Sequence, residues 1–263
     1  MEVNLSGKKI LVTRPQHQSE TLCKQIENKG GKAIRLPVIG IKPPPAADLL
    51  GQTLSRLADY DIGIFISQNA VYWTMELLNR DIHALSNLKI IAVGMATAQL
   101  LERAGLTVIN HTAPVASSET MLELPVLQAG LLKGSRVIIF RGVGGREFLA
   151  EVLTERGAVV DYAEVYQRVP VRYDQSILEK IWLHDNPDYV VVTSSEGLQY
   201  LFDMLSSDQK AILLDTQLVV LGSRMAQLAK KLGFDKMPVI AEETSDEGLL
   251  RAILHHAGGV INK

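Results

Sequence analysis

The sequence predicts an α/β fold: two parallel-sheet domains, each assembled from both halves of an internally duplicated chain. Three observations carry this expectation. Short apolar runs alternate with segments of helical period, the alternation restarts midway along the chain in register, and two proline-bounded extended stretches sit at equivalent places in the two halves. Length agrees, because 263 residues exceed what a single core holds comfortably.

Residues 10–13 form a short apolar strand ending in Arg14-Pro15, and 19–28 place Leu22, Cys23 and Ile26 on one helical face before Gly30-Gly31 stops the turn. A second strand, 33–36, runs into the first extended stretch, 36–43, which is followed by Pro44 and Pro45. Residues 49–57 read as a helix, 62–66 as a buried strand, 70–78 as a helix and 89–93 as a strand. A helix over 97–104 closes at Gly105, a short strand takes 108–109, and 118–127 is helical again.

Then the pattern repeats. Residues 134–141 match 7–14, 188–194 match 61–67, and Pro170 matches Pro43, each 127 residues apart. Val220-Leu221-Gly222 matches Ala92-Val93-Gly94 and Gly233 matches Gly105 at 128, so one residue is inserted between. Two tandem domains divided near Leu131 are one way to fold such a duplication. The matched prolines favour another, in which 1–37 and 170–263 form one discontinuous domain, 42–165 form an inserted one, and 36–43 with 163–172 make the connecting ribbon. The second ribbon is too polar and too proline-interrupted to read as a core strand. The gap beside the ribbons is the expected active site.

With 27 basic and 29 acidic residues the formal charge is −2, which argues against a protein held to nucleic acid by its overall field. The lone cysteine, Cys23, excludes an internal disulfide framework and reads as a small core residue. Histidines 17, 83, 111, 184, 255 and 256 lack metal-ligand spacing. No secretory signal or membrane-length apolar run is visible, so a cytoplasmic location is expected; without an exposed heptad or apolar patch, so is a monomer.

In open parallel sheets, ligands lie at the carboxyl ends of the strands, against helix N-termini whose free N–H groups attract anions. Those ends read Thr13-Arg14, Ser67-Gln68-Asn69, Gly94 to Thr97, Arg141-Gly142 to Arg146, Thr193-Ser194-Ser195 and Gly222-Ser223-Arg224, with Ser117-Ser118 and Ser245 adding two hydroxyl-bearing helix starts. Each Ser or Thr alone is an N-cap candidate. Together, with small residues and arginines beside them, they describe a surface for a large polyanion. The Gly142 to Gly145 run is neither a phosphate loop nor a dinucleotide fingerprint. Tyr166 on the second ribbon has two readings: a ring that packs while its hydroxyl caps a peptide group, or a phenol facing the cleft as a weak general acid.

In this order and spacing, Val12-Thr13-Arg14-Pro15, residues 66–71 and 93–98, Arg141-Gly142 with Gly145-Arg146-Glu147, Val165-Tyr166-Gln167-Arg168 and residues 193–198 resemble the uroporphyrinogen-III synthase family, over essentially the whole chain. The resemblance implies two flavodoxin-like parallel-sheet domains joined by a two-stranded β-ribbon. It implies that hydroxymethylbilane loses water and closes to uroporphyrinogen III with ring D inverted, through an azafulvene cation and a spiro-pyrrolenine, with no cofactor or metal. It places the family's tyrosine, which helps the hydroxyl leave, on Tyr166, and a site threonine on Thr97. Ser67-Gln68-Asn69 departs from the usual Thr-Ser ahead of the Asn. The substrate-binding set is then Thr13, Arg14, Ser67, Thr97, Ser117, Ser118, Arg141, Gly142, Arg146, Ser194, Ser195 and Ser223. The rival reading is a non-catalytic tetrapyrrole or small-anion binding protein with the same two domains.

Overall fold

A computed structural model describes residues 4–109, 118–145 and 147–258. The chain divides into two compact units, Met1–Gly40 with Val169–Lys263, and Ile41–Arg168. Its strands are β1 (Lys9–Val12), β2 (Lys32–Arg35), β3 (Ile39–Lys42), β4 (Ile62–Phe65), β5 (Lys89–Ala92), β6 (Val108–Ile109), β7 (Arg136–Gly142), β8 (Val159–Pro170), β9 (Tyr189–Val192), β10 (Gln217–Val220) and β11 (Val239–Ile240).

In the first unit the sheet order is β11-β10-β9-β1-β2, and every neighbouring pair is parallel. In the second it is β3-β8-β7-β4-β5-β6, parallel from β8 to β6. Leaving β3 aside, the two orders coincide when strands are matched at the sequence offset: β1 with β7, β2 with β8, β9 with β4, β10 with β5, and β11 with β6. This is the doubly wound order of flavodoxin-like sheets, with two strands from one half of the chain and three from the other.

Alternate residues of each central strand face opposite cores. In the first unit Leu11, Val190 and Leu218 pack with Trp182 and Leu198 on one side, while Ile10, Val12, Val191 and Val219 pack with Leu22, Ile26 and Ile253 on the other. In the second, Phe65 and Phe140 stack at 4.3 Å on one face, and Ile64, Val137 and Ile139 meet Leu127 and Leu153 on the other.

Two elements differ from the expectation. Residues 163–170, read as an extended ribbon too polar for a core strand, are indeed extended but form the end of β8, a twelve-residue strand whose Ala163, Val165 and Tyr166 are wholly buried. The polar residues among them, Glu164, Gln167 and Arg168, are less buried, and they disguise a core strand as a ribbon. The helix expected over 118–127 breaks into Ser118–Met121, a 3-10 turn Pro125–Leu127 and Ala129–Leu132. Pro125 lacks the N–H that would continue it.

A pair of aspartates fixes strand register in both units. Asp188 accepts from the Lys9 backbone N–H at 2.8 Å and the Lys8 ammonium at 2.9 Å, aligning β9 with β1. Asp61 accepts from the Arg136 N–H at 2.8 Å, aligning β4 with β7. Burial pushes the Asp188 carboxyl up, but the hydrogen bonds from Lys9 and Lys8 outweigh it and hold the group below its ordinary value. A carboxyl depressed in the folded state contributes stability at pH above its unfolded value and loses it as pH falls through the folded one. Asp188→Asn is therefore expected to cost about 1–2 kcal/mol at neutral pH. The gap to wild type in urea unfolding should close below about pH 4, whereas a pH-independent gap would contradict the assignment.

Candidate active site

In the first unit the strand ends run straight into helix starts. Ser194 caps Ser195–Met204, its Oγ accepting from the Gly197 N–H at 3.0 Å, and Ser195 is the first, partly exposed helical residue. Ser223 is exposed at the start of Ser223–Leu232, behind Gly222, whose φ of 88° favours glycine. Thr13 is buried, and its hydroxyl donates to the Val191 carbonyl at 2.8 Å. Arg14 pairs with the Asp246 carboxylate in the first turn of Asp246–Ala257. Thr13 thus completes the sheet, and Arg14 braces a helix start.

The second unit gathers hydroxyls. Ser67 caps Gln68–Leu77, accepting from the Ala70 N–H at 3.2 Å, and the same oxygen lies 3.2 Å from Tyr166 Oη. Arg168 donates from Nη2 to Tyr166 Oη at 3.2 Å, with its guanidinium 5.7 Å from the centre of the Tyr166 ring. Gly142 makes room for this phenol. The β7–β8 register slips between Arg141 and Gly142, and a Cβ on Gly142 would lie 2.7 Å from two carbons of the Tyr166 ring. Tyr166 is 0% exposed, so its hydroxyl is enclosed rather than open, while Ser67 is partly exposed. Thr97 is buried in the first turn of Met95–Arg103, behind Gly94 with φ of 89°.

Arg141 departs from expectation. It is 3% exposed; Nη1 donates to Glu147 at 3.2 Å, Nε donates to the Gly142 carbonyl, and the guanidinium covers the Tyr162 ring at 4.4 Å. Such a group braces its own unit. Burial and the hydrogen bond to Glu147 push the Tyr162 phenol up to about 12, and that same hydrogen bond, with Arg141, holds the Glu147 carboxyl down. Glu164 accepts from the Gly144 N–H at 3.1 Å and so ties down the glycine loop. Ser117 and Arg146 lie outside the described residues, as does the side chain of Ser118, the first residue of Ser118–Met121.

A cavity of about 500 Å3 in the second unit is lined by residues including Leu49, Arg56, Tyr60 and Glu164, and by none of the candidates named above. Among the described residues no cluster of three or more His, Cys, Asp or Glu side chains could hold a metal ion, and no helix is long and apolar enough to cross a membrane.

A sequence model described as uroporphyrinogen-III synthase HemD matches residues 6–251. The chain belongs to the uroporphyrinogen-III synthase family. It is 34% identical over 246 residues to the uroporphyrinogen-III synthase of Escherichia coli K12, covering 93% of this chain and 99% of that one. Its fold is similar to that of uroporphyrinogen-III synthetase from Helicobacter pylori, with a TM-score of 0.67 at 17% identity over 95% of this chain and 99% of the other. A mutant uroporphyrinogen III synthase from Thermus thermophilus gives 0.62 at 21% identity, over 96% and 99%.

Ser67, Tyr166, Gly142 and Arg168 are all among the residues singled out from sequence, but their mutual contacts are not legible there. Arg168 stands two positions from Tyr166 along the same strand, a spacing that puts both side chains on one face. Gly142 looked like part of a ligand loop, and its contact with the Tyr166 ring has no signature in sequence. Gly142→Ala should displace that ring, lowering activity about tenfold or more and stability by about 1–3 kcal/mol. Wild-type turnover in a folded Gly142→Ala protein would contradict the packing role.

Proposed function

We propose that this chain closes hydroxymethylbilane to uroporphyrinogen III with loss of water and inversion of ring D, acting as a hydro-lyase. The observation that carries the reading is the Ser67, Tyr166 and Arg168 cluster beside a helix start, in a chain of this family. A linear bilane bearing a hydroxymethyl group is reactive and closes unaided to the uninverted isomer. The protein's task is therefore to hold one geometry and to stabilise charge as the hydroxyl leaves.

The substrate's many carboxylates need donors. Each unit, taken alone, has two such helix starts, Gln68–Leu77 and Met95–Arg103 in the second and Ser195–Met204 and Ser223–Leu232 in the first, whose backbone N–H groups and positive dipole ends can receive carboxylates without a basic surface. Gly94 and Gly222 let a carboxylate approach the backbone where a side chain would obstruct it. In this reading Tyr166 supplies the proton for the departing hydroxyl, and the Arg168 guanidinium faces the charge left on the phenol oxygen. The enclosed ring suits a proton source shielded from water.

Freshly generated hydroxymethylbilane incubated with the chain, with the product isomers separated, tests the reading. Isomer III is expected; only isomer I at the spontaneous rate would leave a tetrapyrrole-binding protein in its place. Tyr166→Phe should slow formation of isomer III by about 10- to 100-fold without abolishing it, because positioning carries most of the rate. A loss as complete as removal of an indispensable nucleophile would refute that division of labour.

A further inference from the structure

We propose that Ser67 is the substrate end of a two-hydroxyl proton relay and that Tyr166 acts through it. This rests on the activity proposed above and assigns the atom that hands over the proton. A guanidinium can only donate, so Arg168 Nη2, 3.2 Å from Tyr166 Oη, fills an acceptor position on the phenol. The Ala70 N–H, at 3.2 Å, likewise fills one on Ser67 Oγ. The two hydroxyls carry one proton each and lie 3.2 Å apart, so their mutual hydrogen bond uses one and leaves one over. Tyr166 is 0% exposed and backed by Gly142, whereas Ser67 is partly exposed. The surplus proton is accessible only when Tyr166 donates to Ser67 and Ser67 points its own proton outward.

The step then balances. Ser67 Oγ–H protonates the leaving hydroxyl, the carbon–oxygen bond breaks with its electron pair on oxygen, and water departs from the cation. Tyr166 Oη–H moves to Ser67 Oγ, leaving a phenolate against Arg168. When the macrocycle closes, the proton lost from ring carbon returns through the same two oxygens, and both hydroxyls are restored.

Ser67 also caps Gln68–Leu77, so the test must separate cap from relay. Glycine retains most of the capping preference but has no hydroxyl, and threonine keeps both. Turnover, KM and isomer ratio would be measured for Ser67→Gly, Ser67→Thr, Tyr166→Phe and the Ser67→Gly/Tyr166→Phe double variant. A relay predicts that Ser67→Gly, Tyr166→Phe and the double variant lose kcat by the same factor within about twofold, at little-changed KM, and that Ser67→Thr recovers most of it. Losses that multiply in the double variant, or wild-type kcat in Ser67→Gly, would overturn the relay while leaving the proposed function standing. A wild-type chain yielding only isomer I would remove the proposed function and the relay with it.

Discussion

Parallel strands covered on both faces leave almost no room for polar side chains along their length. All four residues of β4, β9 and β10 are buried, and successive side chains of a strand enter different cores. Polar groups are therefore driven to the carboxyl ends, where β4, β5, β9 and β10 each pass after two residues into a helix. That constraint accounts for the caps at Ser67, Ser194 and Ser245 and for the positive-φ glycines at Gly94 and Gly222. It also accounts for why the candidate donors are backbone N–H groups more than arginines. Arg14 and Arg141, which look from sequence like free cations at strand ends, are drawn to Asp246 and Glu147.

The duplication makes the site's asymmetry visible. Ser194 occupies the place of Ser67, and Ile39 that of Tyr166, each 127 residues apart. Ile39 and Val38 lie where a Cβ on Gly197 would reach 3.5 Å from each, so the first unit puts aliphatic carbon where the second puts a phenol. Pro15 stands at the position of Gly142 and Ile41 at that of Arg168. One copy of the strand-end scaffold keeps only its cap and its helix dipole. The other adds a ring, room for that ring and a cation beside its oxygen. The shared scaffold suits binding and the added groups suit proton transfer, a division that follows from residue chemistry at matched positions.

The strands, their alternation with helices and the offset of the repeat were legible because apolar periodicity records burial directly. Residues 163–170 are more buried than their composition suggests: a register shift opposite Arg141 and Gly142 lets the consecutive Val165 and Tyr166 both be buried with Ala163, while Glu164, Gln167 and Arg168 keep some exposure. The site was legible as residue types at strand ends, because a cap favours a short hydroxyl, amide or carboxylate side chain and a close approach favours Gly. What each hydroxyl meets was not. Thr13 bonding the Val191 carbonyl, and Ser67 meeting Tyr166 ninety-nine positions away, depend on strand register and on a bulge at Arg141 and Gly142. Long-range register leaves no trace in local spacing.

The proposed function requires helix starts at the strand ends to hold the carboxylates of a tetrapyrrole. Backbone amide NMR of the isotope-labelled chain, titrated anaerobically with uroporphyrinogen III, examines this residue by residue. The largest shifts are expected at amides 68–70 and 95–97 of the second unit, saturating together. Shifts centred instead on the cavity lined by Leu49, Tyr60 and Glu164, or scattered over exposed lysines, would contradict it.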